Sequence, residues 1–270
     1  MEAARWQERL RAEAAALGVA VEPRVAAMLW AHWQQVKAAG RRFNLTAIHS
    51  DEEALVLHYL DSLAPLAAAG AWPAGGTLAD IGSGAGFPGI PLLAALGEAW
   101  RGVLVEAQGK RARFLAGAVQ GLGLAGRARV LACRAEEAGR HSRWRERMDA
   151  VVVRALARLD VVAEYGLPLL RPGGRLWAYK GPQGEQEVAA CRAALAELGG
   201  QVAGLRWYEL PGGAGRRLLV EVVKAGATPP AYPRRPGIPA KRPLAGRRAG
   251  PAVPAGETGE EAGAEGVGRS

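Results

Sequence analysis

The chain has 270 residues, is 49% hydrophobic, and carries a net charge of +9 with a pI near 10.1. That length fits one large domain or one domain with appendages, and the apolar half can fill a sizeable core. No apolar run approaches the ~20 residues of a membrane span, the N-terminus mixes charges and has no signal-peptide core, and Cys133 and Cys191 match no metal or redox spacing. A membrane protein, a disulfide scaffold and a metalloprotein are therefore not expected. A cytoplasmic chain with a polyanionic partner is, although arginine outnumbers lysine so heavily that part of the basic balance is compositional.

The first 70 residues read as helices. Leu10, Ala14 and Leu17 recur at helical spacing until Gly18 stops the run. A second helix begins at Pro23, a favourable first-turn residue, and carries Met28, Leu29, Trp33 and Val36 to Gly40. Arg41-Arg42-Phe43-Asn44-Leu45-Thr46-Ala47 leads to a third helix over 51–69, capped by Ser50 or Asp51 with Glu53 behind it. That helix holds His58, Asp61 and Ser62 within about a turn of one another. Neighbours on one helix cannot easily present a catalytic triad, and no nucleophile elbow occurs, so a hydrogen-bonded cluster beside a ligand pocket is the better reading.

The pattern changes after residue 76. A short apolar run, Thr77 to Ile81, enters a turn with glycines at 82, 84, 86 and 89, and the apolar stretch Ile90 to Leu96 follows. A strand, a glycine turn and a helix in succession let a ligand approach bare backbone. An acid about 20 residues past the glycines, here Glu106, suits a ribose diol. A second acid, Asp80, precedes the first glycine and suits an amine-bearing ligand better than a pyrophosphate. S-adenosyl-L-methionine combines the amine, the sulfonium and the diol.

Beyond the loop, β-rich runs at 102–106, 128–133, 149–154, 174–180, 202–209 and 217–224 alternate with helical stretches near 88–97, 110–122, 160–170 and 184–198. The 134–148 connection is charged and ambiguous. Such alternation predicts an α/β fold with a doubly wound, largely parallel sheet. Pro211-Gly-Gly-Ala-Gly215 joins the last two runs as an antiparallel hairpin. Seven strands ending in that hairpin is the Rossmann-like layout of class I methyltransferases, behind an N-terminal helical cap. The expected domains are a cap at 1–70, a methyltransferase domain at 71–225, and a basic Pro-rich extension with a tail at 226–270. Positions 225–250 hold six Lys/Arg and no acid, and 250–270 have so little to bury that disorder is expected there.

Asn44-Leu-Thr46, His58-x-x-Asp61-Ser62, Asp80-Ile-Gly82-Ser-Gly84-Ala-Gly86-Phe87-Pro88-Gly89-Ile90-Pro91, Lys110-Arg111-x-x-Phe114-Leu115, Arg134-Ala-Glu136-Glu137, Arg154-Ala155 and Lys180-Gly181 occur in that order. Together, over roughly residues 5–244, they resemble the RsmG (GidB) family, the bacterial ribosomal small-subunit RNA guanine-N7 methyltransferases. The doubled Gly-x-Pro ending of the glycine loop is the most specific part. The resemblance implies methyl transfer from S-adenosyl-L-methionine to N7 of the guanine at position 527 of 16S ribosomal RNA, on the 30S subunit, by a chain expected to be monomeric and metal-free. It implies cofactor contacts at Asp80, Gly82, Gly84 and Phe87 around the methionine end, at Glu106, Ala107 and Gln108 beside the ribose and adenine, and at Ala135 and Glu136 beside the adenine. Arg154 falls where cofactor and substrate sides meet, and with Lys180 it is the candidate for positioning the guanine or its phosphate.

Two positions depart from the family. Glu106 stands where many members have Asp, and either accepts from a diol. Arg217 stands where the family has His, so any special role of that imidazole is in doubt here. Arg41, Arg42, Lys110, Arg111, Arg113 and the basic cluster at 234–248 are candidates for RNA phosphate contacts. The alternatives are a protein or small-molecule methyltransferase, which would not need the basic surface, and an RNA-binding protein with a relic cofactor loop, against which the intact loop and Glu106 argue. A nicotinamide oxidoreductase is disfavoured by Asp80 and by the terminal hairpin.

Overall fold

The computed structural model describes residues 1–68 and 72–246, so the tail expected to be disordered lies outside the described residues. Helices α1 (Ala3–Ala16) and α2 (Pro23–Gly40) form where the spacing places them, with Gly18 at φ +80° ending the first. The third helix is not one helix. It starts as α3 (Asp51–Ala54), where the Ser50 hydroxyl accepts from the Glu53 amide at 3.0 Å. It then widens into a π-helical turn over Leu55–Leu60, resumes as α4 (Asp61–Leu63) and tightens to a 3-10 turn over Ala64–Ala67. π turns concentrate at functional sites, and this one carries His58.

Seven strands follow: β1 (Gly76–Ile81), β2 (Trp100–Val105), β3 (Ala128–Leu131), β4 (Met148–Arg154), β5 (Leu170–Lys180), β6 (Gly200–Leu210) and β7 (Gly215–Lys224). Between them run α5 (Gly89–Leu96), α6 (Gly109–Gly121), α7 (Ala135–Arg140), α8 (Leu159–Gly166) and α9 (Gly184–Glu197). The sheet order is β3-β2-β1-β4-β5-β7-β6, with β1 to β5 parallel. β7 runs antiparallel to both neighbours, paired from Leu210↔Gly215 along the expected hairpin. The 134–148 connection resolves into α7 and turns leading to β4.

Three apolar clusters hold these layers. One packs α8 and α9 on one sheet face through Val161, Val162, Val188 and Leu195. Another packs α5 and α6 on the opposite face through Leu92, Leu93, Leu115 and Trp177. The third is the cap, where Trp6, Leu10, Leu29, Trp33 and Tyr59 close over Ala85 and Phe87. The glycine loop is therefore part of the cap's own core.

After β7 the chain turns back as a strap over 225–246, with a short helix, α10 (Ile238–Lys241), and a 3-10 turn over Leu244–Gly246. It lies across α7 and α8. Tyr232 and Leu244 enter the core beside α8, and the Arg234 guanidinium forks onto the fully buried Glu164 at 2.5 Å. Arg145 donates to the Thr228 and Tyr232 carbonyls at 2.8 and 2.7 Å.

Candidate active site

Strand order reverses between β1 and β4, so a crevice opens above their carboxyl ends, where ligands of such sheets bind. Asp80 lies at the end of β1, Glu106 just past β2, Arg154 at the end of β4 and Lys180 at the end of β5. The sheet thus converges four residues separated by up to 100 positions in sequence.

In the glycine loop, Gly82, Gly84 and Gly86 take φ of +74°, +56° and +100°, the left-handed region that side chains resist. Asp80 is fully buried beneath them, and burial pushes its carboxyl up to about 6. Its Oδ2 accepts from the Ser83 hydroxyl at 2.7 Å and from the Gly89 amide at 2.9 Å. Oδ2 thus braces the loop, while the buried Oδ1 has no hydrogen-bond partner among the described residues. Glu106 closes the other side. Its Oε2 accepts from the Gly84 amide at 2.9 Å and its Oε1 from the Gln108 amide at 2.7 Å. A carboxylate has about four acceptor positions, so hydroxyls of a ribose can still be bound there. Ala107 and Gln108 are exposed beside it.

Ala135 is half-buried at the start of α7. Glu136, next to it, is 2% exposed, and its Oε1 accepts from the Gly237 amide of the strap at 2.8 Å. Phe87 also turns inward. Its ring stacks on His58 at 4.2 Å and 13° and meets Tyr59 edge-on at 5.2 Å. Leu156, 42% exposed, stands over Gly82, so the 155–158 segment forms the rim of the crevice.

Arg154 ties this crevice to the cap. Its Nη1 donates to Asp61 Oδ2 at 2.9 Å and to the Leu57 carbonyl at 3.0 Å, and its guanidinium lies 5.5 Å from the Phe87 ring centroid. The π turn opens the Leu57 and His58 carbonyls towards it. His58 accepts or donates at 2.8 Å with the Thr46 hydroxyl. Burial, then the adjacent Arg154 charge, then His32 lower its pKa to about 3, so the ring is neutral. Ser62 donates to the His58 backbone carbonyl rather than to the ring, which agrees with the rejection of a triad. Lys180 donates to the Ala157 carbonyl at 2.6 Å and pairs with Glu187 at 2.8 Å.

These groups border a cavity of about 360 Å³ between His58, Asp61, Arg154, Tyr179, Lys180 and Arg217. Arg217, which the sequence marks only as a missing histidine, thus lines the mouth. Sequence reasoning also missed Tyr208, whose hydroxyl donates to Asp61 Oδ1 at 2.6 Å, and Glu187. Their local sequence carries no signal, because their partners lie 147 positions away in one case and on another element in the other. Of the expected phosphate contacts, Arg234 is instead engaged by Glu164, and 247–248 lie outside the described residues. Among the described residues no group of three His, Cys, Asp or Glu could hold a metal, and no helix is long and apolar enough to cross a membrane.

A family model described as rRNA small subunit methyltransferase G matches residues 26–208. Proteins named Ribosomal RNA small subunit methyltransferase G are similar over most of the chain. The one from Symbiobacterium thermophilum is 44% identical over 248 residues, covering 90% of this chain and 100% of the relative. The one from Roseiflexus castenholzii is 47% identical, covering 78% of this chain and 88% of the relative. Among solved structures, cofactor-bound Rv0187 from MTB aligns with a TM-score of 0.51 at 20% identity, covering 77% of this chain and 93% of that one, a likeness of fold alone.

Proposed function

The chain belongs to the rRNA small subunit methyltransferase G family, and on that premise we propose that it methylates N7 of the guanine at position 527 of 16S ribosomal RNA, in the cytoplasm, using S-adenosyl-L-methionine. The cofactor supplies a methyl group on a sulfonium. The observation that carries the reading is the glycine loop hydrogen-bonded to Glu106 at the switch point, with the Arg154 mouth on its substrate side. The residues present fit this cofactor: bare backbone at Gly82 and Gly84 for the methionine end, and spare acceptor positions on Glu106 for the ribose hydroxyls.

Guanine N7 bears an in-plane lone pair that is unprotonated at neutral pH. The nucleophile therefore needs no general base, and the work of the site is alignment. A neutral His58 and an Arg154 already neutralised by Asp61 suit a purine that becomes positive as its N7–methyl bond forms. Arg154 and Lys180 shape the mouth, Arg154 by fixing the cap and Lys180 by fixing the Ala157 rim. Glu106 and Gln108 hold the opposite end.

The test is to incubate the purified chain with labelled S-adenosyl-L-methionine and unmethylated 30S subunits, then map the modified base. Label at N7 of guanine 527 is expected. Cofactor binding with label elsewhere, or none, would overturn the substrate assignment. In the same assay Arg154→Ala should lower kcat at least tenfold while cofactor affinity stays within about twofold; unchanged turnover would remove Arg154 from the mouth's function.

A further inference from the structure

A second concavity, of about 540 Å³, lies between the C-terminal end of α2 and the N-terminal half of α6. It adjoins the cofactor crevice, because α6 begins directly after Glu106 and Gln108. Its walls combine two kinds of residue. Arg42, Lys110 and Arg113 are exposed and, among the described residues, make no ion pair and no side-chain hydrogen bond. Phe43 and Phe114 are half-buried rings on opposite walls. No lining residue is acidic. Arg111, beside them, donates to the Asn44 carbonyl at 3.5 Å and so links the two walls.

Cations alone would describe a solvated face. Unpaired cations around two partly buried phenyl rings describe a place for a group that is anionic along one edge and flat and aromatic along another. We propose that this groove holds a single-stranded nucleotide of the substrate RNA next to the target guanine, its base against Phe43 and Phe114 and its flanking phosphates on Arg42, Lys110 and Arg113. Single-stranded RNA is bound in this manner, by stacking of unpaired bases with a basic track for the backbone. A duplex would offer its phosphates but keep its bases stacked on one another, leaving both rings unused. The assignment rests on the ribosomal RNA reading above and adds a subsite to it.

The test uses the full chain, a fluorescent single-stranded ribo-oligonucleotide of twelve residues, and unmethylated 30S subunits. For the Arg42→Ala/Arg113→Ala double variant, affinity for the oligonucleotide should fall at least tenfold. The salt slope, log Kd against log salt, should flatten by about 1.4, since each single-strand phosphate contact contributes about 0.7. Phe43→Leu and Phe114→Leu keep an apolar side chain but lose the aromatic face, so each should weaken oligonucleotide binding about fivefold without changing the salt slope. Cofactor affinity should stay within twofold for all of them, which reports an intact fold. Oligonucleotide affinity and salt slope equal to wild type in every variant would overturn the groove. If the variants bind as expected but wild type leaves 30S subunits unlabelled, the groove stands and the substrate reading fails. If wild type labels guanine 527 and the variants bind RNA normally, the reverse holds.

Discussion

His32 is fully buried between the Tyr59 hydroxyl and the Ala85 carbonyl, at 3.0 and 2.9 Å, and burial lowers its pKa to about 4. His58 sits lower still, at about 3. In the unfolded chain both titrate near the ordinary value of about 6.5. Between pH 6.5 and 4 the unfolded state therefore binds more protons, and stability rises with pH across that window and is lost as pH falls. Asp80 works in the opposite sense, because its folded value of about 6 lies above its unfolded value, so acid relieves it. Two histidines against one carboxylate leave a net loss on acidification. The thermal midpoint should drop between pH 7 and pH 5, and His32→Gln should flatten that drop; a midpoint insensitive to pH in wild type would contradict the burial of both rings. Glycine positions offer a contrasting pair. A Cβ at Gly86 would meet Ile90 Cδ1 at 2.5 Å with φ at +100°, whereas one at Gly117, inside α6, meets nothing within 4 Å. Titration with the cofactor should show at least a tenfold loss for Gly86→Ala. Denaturant unfolding should show Gly117→Ala gaining about 0.5–1 kcal/mol from a stiffer unfolded chain.

Elements that owe their form to local pattern were legible; those shaped by a distant partner were not. α1, α2 and the seven strands follow from spacing and from Gly18, Pro23 and the 211–215 turn, which act on their immediate neighbours. The segment 51–67 has helical spacing throughout, yet breaks into a π turn. The carbonyls of Leu57 and His58 take an arginine 97 and 96 residues later, a partner no window over 51–69 contains. The strap is the extreme case. Its sequence reads only as extended and basic, but Arg234 is the counter-charge of Glu164, which is fully buried in α8. Removing one member of such a pair strands the other without compensation, at a cost of about 3–5 kcal/mol. Arg234→Ala should lower the urea unfolding free energy by about that much, whereas exposed Arg235→Ala should change it by less than about 0.5 kcal/mol. Equal effects of the two would mean that the strap is not docked through Glu164.

On the scale of the molecule, the sheet sets which residues meet, and the cap sets what they face. That Asp80, Glu106, Arg154 and Lys180 gather at the carboxyl ends of the strands was legible, because the strand pattern of a doubly wound sheet fixes those ends. Their division of labour was not. Asp80 Oδ2, Phe87 and Glu136 face the loop, the cap and the strap, and only tertiary contacts decide this. The basic surplus was legible as a number but not as a surface, since Arg234 and Arg154 are neutralised inside while Arg42, Lys110 and Arg113 make no ion pair among the described residues.

The strap also orders events in time. Glu136 and Asp160 accept main-chain amides from Gly237 and Ala245, and Glu164 takes Arg234, so three carboxylates at most 2% exposed await partners synthesised 70 to 101 residues after them. A nascent chain that has already made all seven strands still lacks the strap partners of these acids, although Asp160 already has Arg158 at 3.4 Å. Chains are made at about 5–20 residues per second and fold as units as they emerge, so the α7–α8 face of this domain can be finished only after residues 234–245 have been made.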